Sequence, residues 1–174
     1  MIYRNAKPNL GHIALAELEK LGKIKAVVTQ NIDGLHQAAG SSNVLELHGS
    51  VYRNYCIKCG KSFDLDYVIN SKSKVPRCDS CEGIIKPDVV LYEEMLDDDV
   101  IRKAVSSISH AQVLLVMGTS LVVYPAAGFI DYYRGNKLIL INKSETQYDL
   151  KAKYVLNKSV GKVMKQVLDY FKVM

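Results

Sequence analysis

A chain of 174 residues, 48% hydrophobic and 24% charged, has the length of one domain with room for a small appended module. Its longest apolar run, Val113–Met117, is far short of the roughly 18–20 residues that span a bilayer, and Met1–Asn5 carry neither the apolar core nor the cleavage site of a signal peptide. A cytoplasmic protein with no membrane contact is expected. The net charge of +5 is spread along the chain, its one cluster being Lys72, Lys74 and Arg77; nucleic-acid binding wants a concentrated basic stripe with aromatic interleaving and is not expected.

In chain order, Pro8-Asn9 opens a first helix. Asn9 is a good N-cap, and Leu10, Ile13, Ala14, Leu18 and Leu21 follow at helical spacing before Gly22. Ala26–Thr29 is a short, β-branched run and reads as a strand, delivering the polar cluster Gln30-Asn31-Ile32-Asp33-Gly34. A short helix is expected over Leu35–Ala39, then a strand over Val44–Leu47 that leads into His48-Gly49-Ser50. From about Tyr52 to Ile85 periodicity is lost and turn residues accumulate, the mark of an insertion. Lys86–Tyr92 reads as extended, because Pro87 disfavours helix in the residue before it and β formers follow. Asp97-Asp98-Asp99 suit the positive end of a helix dipole, and Val100, Ala104, Val105 and Ile108 give that helix an apolar stripe.

Val113–Met117 is uninterruptedly apolar, as a parallel strand buried on both faces should be. Gly118-Thr119-Ser120 follow at its carboxyl end. Pro125 suits the first turn of a helix through Tyr133, Lys137–Ile141 is a further strand ending at Asn142, and a last helix carries Val160, Val163, Met164, Val167, Leu168 and Phe171. Alternating strands and helices with polar strand ends imply an α/β fold with an open, Rossmann-like parallel sheet, in which ligands bind at the carboxyl ends of the strands. Residues 1–51 and 86–174 are assigned to that domain, and 52–85 to the insertion.

All four cysteines lie in the insertion. Cys56-x2-Cys59 and Cys78-x2-Cys81, separated by 18 residues, have the spacing of a tetrahedral four-cysteine zinc site. Four thiolates leave no open position for water or substrate, so the metal is expected to be structural, standing in for a core that so small a module cannot supply. Gly60 and Gly83 are expected to take the left-handed backbone of the two cysteine turns.

Thr29-Gln30-Asn31-Ile32-Asp33-Gly34-Leu35-His36, Leu47-His48-Gly49, Gly118-Thr119-Ser120 and the cysteine pairs, in this order, resemble the sirtuin family, and the resemblance runs from about Lys7-Pro8-Asn9 to the final helix. It implies an NAD-dependent protein lysine deacylase, most commonly a deacetylase, whose Rossmann-like domain binds NAD as co-substrate. In that chemistry the acyl-lysine oxygen attacks the nicotinamide ribose, nicotinamide leaves, and the acyl group ends on ADP-ribose. His48 matches the family's general base, for which an imidazole suits because it exchanges a proton near neutrality; an isolated histidine more often caps a strand end, and the flanking Leu47 and Gly49 decide against that. The catalytic set implied is His48, Asn31 and Asp33. Gln30, Asn31, Ile32 and Asp33 match the lining of the nicotinamide and ribose pocket; by themselves they would read as a polar turn. Gly118, Thr119 and Ser120 match ribose and phosphate contacts, Asn142, Lys143 and Ser144 the adenosine side, and Val160 a position near the adenine. Acylated lysine peptides are the implied partners, bound by pairing with an extended edge that falls at Val89, Val90 and Tyr92. There Tyr92-Glu93-Glu94 departs from the commoner Phe-Gly-Glu. His36 is read as structural support, and His12 and His110 as surface or helix residues.

The family's N-terminal strand, its Gly-Ala-Gly-x-Ser loop and its Pro-Asp-Phe-Arg element have no counterpart here, and no Gly-x-Gly occurs in the 174 residues. The parallel sheet is therefore expected to be incomplete at its N-terminal side, with two inner edges left unpaired and little deacylase activity in the chain alone. The alternatives are a weak or inactive remnant serving as an interaction module, and an NAD-dependent ADP-ribosyltransferase.

Overall fold

The computed structural model describes residues 5–173; Met1–Arg4 and Met174, including most of the segment read for a signal peptide, lie outside the described residues. Helix α1 spans Leu10–Lys20, and Asn9 caps it as expected, accepting from the Gly11 and His12 backbone N–H groups. Strand β1 (Val27–Thr29) pairs in parallel with β2 (Val44–Glu46) across the short helix α2 (Leu35–Ala38). Then come β3 (Gly49–Cys56), β4 (Ser62–Phe63), α3 (Leu65–Ile69) and β5 (Ile85–Val89), which form an antiparallel sheet in the order β4-β3-β5. Helix α4 (Asp98–Ser109) starts on the Asp97 side chain, which accepts from the Val100 N–H. Strands β6 (Leu114–Met117), β7 (Leu138–Ile141) and β8 (Tyr154–Leu156) make a second parallel sheet, and α5 (Val160–Val173) closes the described chain.

Two of the four core clusters among the described residues pack α-helices against the parallel strands. Helices α1 and α5 lie against β7: Ala14, Leu15 and Leu18 meet Val163, Met164, Leu168 and Ile141. Glycines at the crossing let the helices approach, since a Cβ on Gly161 would sit 3.4 Å from that of Leu10. Met164 is fully buried, so truncating it to alanine should cost about 2–5 kcal/mol. On the other side α4 packs through Ala104 and Ile108 against Leu47, Leu96, Ala126 and Phe129.

Several elements depart from the sequence reading. Val113 is exposed and all of β6 only half-buried, because among the described residues β6 pairs with β7 alone and β1 with β2 alone. Among the described residues the two parallel sheets do not hydrogen-bond to each other. The stretch after Pro125 is a 3₁₀ helix over Ala126–Tyr132, not an α-helix. The insertion is more ordered than its lost periodicity suggests, and its sheet begins at Gly49 and ends at Val89, outside the boundaries read from the sequence. Strand β8 was not foreseen; its pattern is short, with Tyr154 and Val155 exposed.

Candidate active site and metal centre

The carboxyl ends of β1 and β2 are adjacent because the two strands pair in register, Thr29 opposite Glu46, and Leu47 donates its N–H to the Thr29 carbonyl at 2.9 Å. The loop Gln30–Asp33 leaves one strand where His48 leaves the other. They touch: His48 Nδ1 lies 2.9 Å from the Gln30 carbonyl oxygen. A carbonyl only accepts, so Nδ1 carries the proton, and Nε2 keeps its lone pair for a reacting hydroxyl. The loop is fixed at both ends. Asn31 donates its N–H to Thr29 Oγ1, Asp33 Oδ1 accepts from the Leu35 N–H, and Val51 donates its N–H to the Ile32 carbonyl. Gly34 is required between them: its φ is 64°, and a Cβ would stand 2.9 Å from the Tyr52 ring. Asn31 is exposed, whereas Gln30, Ile32, Asp33 and His48 are half-buried.

A second group forms where β6, β7 and α5 meet. Gly118, at φ 60°, donates its N–H to the Ile141 carbonyl, and Asn142 Nδ2 donates to the Thr119 carbonyl at 2.9 Å. Val160 at the start of α5 lies 3.6 Å from where a Gly118 Cβ would be. Gly118, Thr119, Asn142 and Val160 are thus brought together, with Ser120, Lys143 and Ser144 exposed beside them. Amides, hydroxyls, a carboxylate and an imidazole at strand ends, next to an apolar residue, fit a ligand that combines ribose hydroxyls with a heterocycle.

The first turn of α1 joins the two groups, a link that sequence reasoning missed. A Cβ on Gly11 would stand 3.2 Å from Val160 Cγ1, while the His12 ring meets the His36 ring edge-on at 4.6 Å between centroids. His12 Nδ1 also accepts from the Asn9 N–H, completing a capping box. Burial lowers the pKa of both imidazoles. For His12 the Asp33 carboxylate opposes the shift; for His36 the neighbouring His12 adds to it, and Asp33 and Glu46 oppose it. The signal was available in principle, since a histidine at the third helical position can close a capping box. His110 is exposed at the end of α4, as expected.

Of the peptide-edge residues, Val89 pairs with Gly49, and Val90 donates its N–H to the His48 carbonyl at 3.1 Å. That edge therefore abuts the histidine. Tyr92 is fully exposed on a turn that Glu94 organises, accepting from the Leu91 N–H and from Lys86. Glu93 adopts φ 70°, a conformation suited to glycine. A surface concavity of about 610 Å³ lined by Ile130, Asp131, Tyr133 and Lys151 holds none of the predicted site residues.

In the insertion, the sulfurs of Cys56, Cys59, Cys78 and Cys81 all lie within 4.8 Å of one another. Cys56 and Cys81 are 3.5 Å apart, and Cys59 and Cys78 3.7 Å. Bonds of about 2.3 Å to one central zinc require edges of about 3.8 Å. The donors fit the ion. Two equivalent turns present them: the Lys58 and Ser80 N–H groups point at the first sulfur of each pair, and the Gly60 and Glu82 N–H groups at the carbonyl behind it. Gly60 is left-handed, as expected, but in the second turn Glu82 takes that conformation, at φ 57°. Gly83 is needed for space instead, because a Cβ there would stand 2.6 Å from Cys56 Sγ. Burial works to raise the Cys56 thiol, yet hydrogen bonds from the Cys59 and Lys58 backbone and from neighbouring thiols bring it down to about 6. The Gly83 N–H favours the Cys81 thiolate, but hydrogen bonding with the other thiols, together with burial, pushes it up to about 12. The cluster favours charge at one sulfur and, without a cation, resists the next.

Polar strand ends that bring an imidazole against the loop after β1, beside a knob of four thiols placed to bind a metal, are the arrangement of an α/β protein with a ligand site at its strand ends and a structural metal module. Residues 1–125 match the Sir2 family. An NAD-dependent protein deacetylase of Clostridium acetobutylicum is 64% identical over 97% of this chain and 69% of its own length, and one of Cutibacterium acnes is 47% identical over 96% and 68%. A solved structure of Sir2 with a p53 peptide and NAD+ superposes with a TM-score of 0.90 at 42% identity, over 97% of this chain and 72% of that one. Another, of Sir2 bound to an acetylated peptide, has a TM-score of 0.91 at 42% identity, over 98% and 73%. The chain belongs to the Sir2 family.

Proposed function

We propose that this chain is an NAD-dependent protein deacetylase in which His48 is the general base. The observation that carries the assignment is the hydrogen bond from His48 Nδ1 to the Gln30 carbonyl. It orients the ring and fixes the tautomer whose Nε2 takes a proton. NAD, when bound, supplies an electrophilic ribose carbon from which nicotinamide leaves and an ADP-ribose unit that carries away the acyl group.

The chain's residues divide the remaining work. Asn31, with its exposed amide, hydrogen-bonds ribose hydroxyls and positions water. Asp33, held by the Leu35 N–H, accepts from the nicotinamide amide and favours positive charge developing on the sugar. Gln30 and Ile32 complete that wall. Gly118, Thr119 and Ser120 take the adenosine ribose and phosphate, Asn142, Lys143 and Ser144 the adenosine side, and Val160 the adenine. Acyl-lysine peptides pair with the edge at Val89, Val90 and Tyr92, which delivers the acyl group next to His48. The four cysteines hold zinc and no substrate, so the metal orders the antiparallel sheet of the insertion, which runs from Gly49 to Val89, against the dinucleotide domain.

Among the described residues no helix is long and apolar enough to cross a membrane. The cytoplasm is the assigned compartment, because it keeps four thiols reduced and available to a metal. The alternatives, an interaction module without activity and an ADP-ribosyltransferase, are not favoured: relatives 62–64% identical are named as deacetylases. Incubation with NAD and an acetyl-lysine peptide decides. Deacetylation that requires NAD and releases one nicotinamide per acetyl group supports the assignment; deacetylation without NAD sinks it.

A further inference from the structure

We propose that Arg53 is a positioning residue that locks the peptide-binding edge to the strand carrying the general base. The inference rests on the deacetylase reading for its consequence, though not for its geometry. The register of β3 against β5 slips between Ser50 and Asn54, so residues 51–53 bulge out of the ladder. A bulge re-aims a side chain that a regular strand would send elsewhere. This one is held at both ends, by the Val51 N–H on the Ile32 carbonyl at 3.1 Å and by Asn54 Nδ2 on the Val51 carbonyl at 3.3 Å.

The re-aimed residue is Arg53, and its guanidinium spans two elements. Nη1 donates to Glu46 Oε2 at 2.6 Å and Nε to Asp88 Oδ2 at 2.8 Å. The two anchors are symmetric about the site. Glu46 ends β2 two residues before His48, and Asp88 in β5 stands two residues before Val90, the residue that donates to the His48 carbonyl. One side chain thus crosses the same gap as the His48–Val90 hydrogen bond and keeps its two ends in step.

Burial decides that the contact matters. An ion pair between exposed groups contributes little, and Arg53 and Asp88 are 56% and 45% exposed. Glu46 is only 6% exposed, and a buried carboxylate stripped of its partner is strongly unfavourable. Without Arg53 the end of β2 must shift to bring Glu46 to water, and His48 moves with it. A planar fork with separated donors suits this double anchoring; a lysine ammonium would reach one carboxylate well.

The test compares Arg53→Met, Arg53→Lys and Asp88→Asn with the unchanged chain by amide hydrogen exchange resolved to single residues. The expected result is that Arg53→Met speeds exchange at Val90 and Leu47 about tenfold or more while β6–β8 keep their protection, as local opening requires, with Arg53→Lys intermediate. Should Arg53→Met fail to fold, Asp88→Asn, which removes the half-exposed anchor, gives the same local pattern more weakly. In parallel, the affinity for an acetyl-lysine peptide falls about tenfold and turnover falls with it, because both the peptide edge and His48 are displaced. Unchanged exchange at Val90, or equal loss across the whole chain, overturns the proposal. An unchanged chain that binds no acetyl-lysine peptide overturns the deacetylase reading instead, and the exchange data still decide the coupling.

Discussion

Replacing Gly83 with alanine tests the metal centre at the point of least tolerance. The added methyl would stand 2.6 Å from Cys56 Sγ, 2.8 Å from Lys58 Cβ and 3.3 Å from Cys81 Sγ. Ordinary contacts to such atoms begin near 3.4–4 Å, so the first neighbour is about 1 Å too close. Neither Cys56, fully buried in the sheet, nor the Lys58 stem beside the backbone can rotate away without disturbing the tetrahedron. Overpacking of this kind costs about 1–3 kcal/mol, which corresponds to roughly 5–150-fold in zinc affinity. Competition with a chromophoric chelator would measure that loss directly, and a thermal melt with and without chelator would show whether the module loosens. Zinc affinity within about twofold of the unchanged chain would refute the geometry of the site. Gly60→Ala is the control: no atom lies within 4 Å of its Cβ position, so only the left-handed backbone, at φ 73°, penalises it.

Further outcomes follow from the same structure. Glu93→Gly should stabilise the chain by about 1 kcal/mol, since a non-glycine residue at φ 70° carries a strain of roughly 1–2 kcal/mol that the greater freedom of glycine when unfolded partly offsets; equal melting temperatures would contradict this. Because burial lowers the folded-state pKa of His12 and His36 below 6.5, the unfolded chain binds more protons below that pH, so stability falls as pH drops from 7 towards 5. Urea melts at both pH values check it, and a His12→Gln/His36→Gln variant that keeps the full wild-type slope over that range would contradict the assignment. His48→Ala should lower turnover about 10²–10⁴-fold, the usual contribution of a general base, with peptide affinity nearly unchanged; full turnover would remove His48 from the mechanism.

What could be read from the sequence was what is encoded locally. The first helix carries its cap at Asn9 and its apolar stripe in adjacent residues, and the two cysteine pairs carry their spacing. The polar strand ends rich in Asn, Asp and Gly read by themselves as turns, and only the resemblance singled them out as candidate site residues. Long-range pairings were not legible. Nothing in Arg53 says that a bulge turns it back to Glu46, seven residues earlier, and to Asp88, thirty-five later. His12 looked like one more polar helix residue until α2 brought His36 against it. The full burial expected for Val113–Met117 failed for a related reason: an apolar run fixes what a strand can bury, but its neighbours decide what it does bury.

The His48 ring, held by the Gln30 carbonyl, is the central element of the proposed reaction, and mass spectrometry of the products tests it most directly. With NAD and an acetyl-lysine peptide, the acetyl group should appear on ADP-ribose, and His48→Ala should slow the formation of that product by the same factor of about 10²–10⁴. Free acetate, or ADP-ribose attached to protein in place of acetyl-ADP-ribose, would contradict it.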